Sequence, residues 1–144
     1  MTEQNLANHV RFVPMFHFFA LPVLGINLVW SLYRLRYLGL TFEGIFGVLL
    51  AAALVLVALN ARLFALAVQD RVIRLEERLR GERLLPADLR PRILELTAGQ
   101  LVALRFACDE ELPALTRKVL DEKLQERKAI KQLIKKWRPD YQRA

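Results

Sequence analysis

The sequence predicts an all-α membrane protein: a two-helix transmembrane hairpin, its second helix extended into a cytosolic stalk, then a small C-terminal bundle of short helices. Two apolar runs and one periodicity carry that expectation. Between Phe12 and Tyr33 the only titratable side chain is His17, and between Gly44 and Leu59 there is no polar side chain at all. A bilayer core of about 30 Å takes roughly 20 apolar residues of helix, so both runs are long enough to cross. The third observation is that the second run passes without a breaker into the charge-laced segment "QDRVIRLEERLR".

The expected order is an N-terminal arm at 1–11, a first transmembrane helix at 12–33, a loop at 34–43, a second transmembrane helix with stalk at 44–80, and a cytosolic helical module at 81–144. The start "MTEQNLANH" has no Lys or Arg, and "WSLYRLRY" has no small-x-small site, so the first span does not read as a cleaved signal peptide. Within it, Pro14 sits near the entrance, whereas Pro22 removes a bond to the carbonyl of Phe18 and is expected to kink the helix. Trp30, Tyr33 and Tyr37 form an aromatic band for the far interface. The whole chain carries 22 Lys and Arg against 15 Asp and Glu; from Asp70 onward there are 18 basic and 13 acidic side chains. That excess beyond the second span predicts a cytoplasmic location for both termini, with Arg34 and Arg36 in the connecting loop pointing weakly the other way.

Along the second helix one line of residues keeps a 3/4 alternation: Gly47, Ala51, Leu54, Ala58, Ala61, Ala65, Val68, Val72, Leu75 and Leu79. The competing stripe through Leu56, Leu59, Leu63 and Leu66 runs into Asp70. The persistent line has the spacing of a coiled-coil seam. Small residues suit close approach in lipid, and larger aliphatics suit packing in water. The seam is therefore expected to face protein, either a second copy or the chain's own other helices. Asp70 with Arg74, and Glu76 with Arg80, have the spacing of i, i+4 ion pairs on the stalk.

Five polar residues fall inside the spans: His17, Asn27, Ser31, Asn60 and Arg62. In an antiparallel hairpin His17 and Asn60 lie at similar depth, and Arg62 is near enough to the cytoplasmic end to snorkel. These groups can hydrogen-bond between helices, or line a water-filled path with His17 as a proton-sensitive constriction.

In the module, Gly81 is expected to stop the long helix. Thr97 and Gln100 have capping-box spacing and open a helix to about Ala107. Asp109 caps a helix to about Leu124, and "RKAIKQLIKKW" puts Ile130, Leu133, Ile134 and Trp137 on one face of a last helix. The other face holds Lys123, Arg127, Lys128, Lys131, Lys135, Lys136 and Arg138, a basic surface suited to anionic lipid headgroups or to plain solvation. No helix-turn-helix, zinc or aromatic-platform pattern supports nucleic-acid binding. The single cysteine, Cys108, reads as a small hydrophobe beside Phe106. There is no Ser/His/Asp set, phosphate-cradling glycine loop, CxxC or HExxH, so neither an enzyme nor a cofactor or metal site is expected.

The segments "EQNLANHVRFVPMFHF", "QDRVIRLEERLR", "LTAGQLVALRFACDEELPAL" and "IKKWRPDYQR" together resemble a bacterial family of uncharacterised two-span membrane proteins of about this length. The resemblance implies a bacterial inner membrane and carries no activity, cofactor or catalytic residue. The function expected from the residues is a homo-oligomeric inner-membrane anchor or scaffold that displays the basic module at the cytosolic membrane face. Its partners would be lipid, further copies of itself, and another membrane or cytosolic protein. The alternative is a small ion channel or transport component with a pore lined by the His17, Asn27 and Ser31 face.

Overall fold

The computed structural model describes residues 5, 6, 8 and 12–140. The expected arm at 1–11 thus falls largely outside the described residues, as does His9. All described helices are α-helical except a π-helical turn at Met15–Ala20 and a 3-10 turn at Pro91–Glu95. The α-helices are α1 (Leu21–Leu38), α2 (Phe42–Leu84), α3 (Ala98–Leu104), α4 (Leu112–Asp121) and α5 (Arg127–Gln132). The chain divides into two compact units, whose described parts are residues 12–66 and residues 5, 6, 8 and 67–140.

In the first unit the π-helical turn runs directly into α1, and the two together make a helix of 24 residues long and apolar enough to cross a membrane. Pro22 occupies the start of α1 rather than the middle of an α-helix. The N–H that proline lacks and its crowding of the preceding turn are accommodated by a widened turn just upstream, where Leu21 N–H donates to Phe16 O. Helix α1 continues past the expected end at Tyr33 to Leu38, taking in Arg34, Arg36 and Tyr37. Cations favour the negative end of a helix, so the loop expected at 34–43 shrinks to 39–41.

That short turn has a local logic. Gly39 adopts φ +69°, a conformation glycine enters without penalty. Thr41 then caps α2, its Oγ1 accepting from Gly44 N–H at 3.2 Å. A Cβ on Gly44 would lie 2.8 Å from Leu35 Cδ1, so glycine lets the two helices meet there.

Helix α2 is 43 residues long and passes through Asn60 without a break. At about 1.5 Å per residue that is roughly 65 Å of helix axis, about twice the hydrocarbon thickness. It also passes through Gly81, against the expectation of a stop there. Gly81 is buried, and a Cβ at that position would collide with Ile93 Cδ1. Its role is close packing inside the helix.

In the second unit the last turns of α2 contribute Ile73, Glu77, Arg80 and Gly81 to the buried side. The core forms around Phe106, with Leu85, Leu89, Ile93, Leu101, Leu104, Val119 and Ile130 among its members. Thr97 and Gln100 make the expected capping box: Thr97 Oγ1 accepts from Gln100 N–H, and Gln100 Oε1 accepts from Thr97 N–H at 2.7 Å. The helix they open ends at Leu104, three residues short of the expected Ala107. Helix α4 ends three residues earlier than expected. Lys123 takes φ +50°, Leu124 N–H returns to Val119 O at 3.1 Å and Lys123 N–H to Leu120 O at 3.3 Å, a Schellman closure with lysine in the position usually held by glycine. Helix α5 stops at Gln132, yet Ile130 and Ile134 remain buried, and Trp137 reaches Phe106 through an antiparallel bridge with Ala107.

Candidate functional site

The feature of the second unit that invites a partner is a stripe on α2. Val68, Val72, Leu75 and Leu79 are 61, 49, 61 and 51 % exposed, although all four are aliphatic and lie on one face. The packing of the opposite face explains why. There Ile73, Glu77, Arg80 and Gly81 are buried against the module, so the module's own core is satisfied by that face and leaves the aliphatic one uncovered.

What fixes the module to α2 is a buried charge cluster. Arg80, only 5 % exposed, donates from Nε and Nη2 to Asp109 Oδ1 at 2.9 and 2.6 Å, from Nη1 to Glu77 Oε2 at 3.0 Å, and from Nη2 to Ala107 O at 2.7 Å. Arg138 adds a second cation, its Nη1 3.6 Å from Glu77 Oε1. Burial pushes the Glu77 carboxyl above its ordinary value, and the neighbouring Arg80 pulls it back only in part. A planar guanidinium suits this position because it engages two carboxylates and a carbonyl at once. Ion pairs along this part of the chain override three expected local features. Asp109 holds Arg80 rather than capping α4, whose preceding residue Glu111 makes no side-chain cap. Arg80 pairs with Glu77 rather than Glu76, and Asp70 pairs with Arg127 at 3.1 Å rather than with Arg74.

The same ion pairs reassign the basic tail. Arg127 is held by Asp70, Lys136 by Glu110 at 2.8 Å and Arg138 by Glu77, while Lys131 lies over the Phe106 ring at 5.1 Å. Lys123, Lys128 and Lys135 are exposed. Glu111 also anchors this segment, accepting from Lys135 and Lys136 N–H at 3.1 Å. Arg127, Lys136 and Arg138 thus make ion pairs within the second unit while their side chains stay at least half exposed.

In the first unit the seam residues divide. Ala51 is 1 % exposed, Gly47 and Ala58 are half-buried, and Leu54, Ala61 and Ala65 are exposed. Of the polar residues, His17 and Asn60 are engaged by their own helices. His17 Nδ1 lies 3.0 Å from Val13 O, and Asn60 Nδ2 donates to Leu56 O at 2.8 Å. Ser31 and Arg62 are half-buried, whereas Asn27 is exposed. Trp30, Tyr33 and Tyr37 form an exposed ladder, with Tyr33 Oη donating to Tyr37 Oη at 2.9 Å. Beside it α1 carries an apolar groove lined by Pro22, Gly25, Ile26, Val29, Trp30 and Tyr33.

Among the described residues no group of three or more His, Cys, Asp or Glu side chains is placed to hold a metal ion. Cys108 is a half-buried free thiol. The second unit presents an aliphatic stripe flanked by charge, on a helix whose other face packs against the module.

These features define an all-α protein with two membrane-length apolar helices and a helical C-terminal module. The chain belongs to a family of unknown function (DUF6526), whose model matches residues 1–144. No curated protein and no solved structure matches it.

Proposed function

We propose that the protein is a membrane-anchored scaffold whose α2 helices associate with one another and display the α3–α5 module on the cytosolic side. The observation that carries this reading is the uncovered stripe of Val68, Val72, Leu75 and Leu79, which the module leaves free while it packs on the other face of the same helix. Four aliphatic side chains at 3/4 spacing have little reason to face water unless another helix covers them. Membrane anchoring rests on the two long apolar helices of 24 and 43 residues. The basic excess after the second one favours a cytoplasmic module, and exposed Lys123, Lys128 and Lys135 can add attraction to anionic headgroups. The pore alternative has less behind it, because the side chains of His17 and Asn60 are already bonded to nearby backbone, at Val13 O and Leu56 O.

The test is native mass in mild detergent. The wild-type chain should run as an oligomer, and Val72→Glu with Leu75→Glu should reduce it to a single chain. Because both side chains are exposed, thermal stability of the module should change by no more than about 0.5 kcal/mol. A monomeric wild type, or an oligomer indifferent to the double change, would remove the basis for this reading.

A further inference from the structure

We infer that the α2 stripes of two copies pair in parallel and in register, with Arg71 of each chain set against Glu76 of the other. This rests on the self-association proposed above and adds its orientation and register.

In a two-stranded coil with 3/4 spacing, Val72 and Leu79 occupy one core position of the seven-residue repeat, and Val68 and Leu75 occupy the other. Gln69 and Glu76 then flank the core on one side, and Arg71 and Arg78 on the other. A parallel in-register pair brings each residue of the second flank opposite the residue five positions further along the partner. That sets Arg71 against Glu76, an opposite-sign contact made twice by the two-fold symmetry. Arg71 and Glu76 are both exposed, and among the described residues neither forms an ion pair within its own chain. Both are therefore available.

The antiparallel arrangement is disfavoured by the same residues. It places the arginine flank against itself, so Arg71 and Arg78 would meet only arginine. A parallel pair slid by one repeat would put one Arg71 against Arg83. In register, the next flank contact after Arg71 and Glu76 joins Arg78 to Arg83, of like sign. That contact brackets Leu79, after which Glu82 takes the core position and the apolar seam ends. The residues thus define a short paired segment with a built-in end. In the central layers, Val72 with Leu75 is the combination that favours two strands, while Val68 and Leu79 at the ends reverse it.

Charge exchange in the full-length chain tests this. Arg71→Glu and Glu76→Arg are placed on separately tagged copies and co-expressed, and co-purification in mild detergent is measured. Each variant alone should self-associate less than wild type, because its own contacts become like-signed. The mixed pair restores both contacts and should co-purify about fivefold more than either self-pair. A chain carrying both changes should associate as wild type does. If mixed pairs show no preference while Val72→Glu with Leu75→Glu still abolishes association, the parallel register is wrong and self-association stands. If that stripe variant leaves association intact, both fall.

Discussion

Glu77 is the residue at which the cost of fastening the module to α2 can be read. It is 6 % exposed, faces Arg80 and Arg138, and its carboxyl is raised from the ordinary 4.5 because burial outweighs those cations. Above 4.5 the folded chain therefore holds a proton that the unfolded chain has already released. Stability contributed by this group falls as pH rises through the interval between the two values, and is level beyond it. Glu77→Gln removes that dependence. Denaturation of the two proteins from pH 4.5 upward should show the wild type losing ground to the variant as pH increases. A constant difference would mean that Glu77 titrates normally. Arg80 is the opposite case, since Arg80→Met would leave buried Glu77 with only the more distant Arg138, a loss of up to about 3–5 kcal/mol measurable by denaturation. None of this was legible in the sequence. Glu76 and Arg80 have the better helical spacing, and the preference for Glu77 comes from Asp109 and Arg138, far away along the chain.

At the scale of elements, local signals were read correctly where the chemistry is local. Thr97 and Gln100 cap α3 reciprocally because the bonds involved span three residues. Thr97→Ala should lower stability by about 1 kcal/mol, measurable by thermal melting of the full chain; an unchanged melt would show that packing alone holds α3. Signals decided by packing were misread. Gly81 is by composition a helix stop, but Ile93 needs the space that its missing side chain leaves. Asp109 has the chemistry of a cap and is claimed by a buried guanidinium. The pairing of Arg127 with Asp70, 57 residues earlier, cannot be seen from the periodicity of the last helix. Thr41, which caps α2, lay in a stretch that read simply as loop.

For the whole molecule, the alternation along α2 was visible in the sequence, but its occupant was not. The structure separates what periodicity alone left joined: Ala51 is already covered within the chain, while Val68, Val72, Leu75 and Leu79 are not. A seam of about three turns covers less area than independent soluble partners need, roughly 1,200 Å² or more. Confinement of both copies to one membrane would raise their effective concentration enough to make a short seam sufficient. Whether the stripe meets its own copy is tested most directly by disulfide trapping in membranes. Full-length chains lacking the native thiol, through Cys108→Ala, would carry either Leu75→Cys on the stripe or Arg74→Cys beside it. Leu75→Cys should yield a covalent dimer under mild oxidation and Arg74→Cys should not. Equal trapping at both positions, or none at Leu75→Cys, would contradict a partner helix lying along this face.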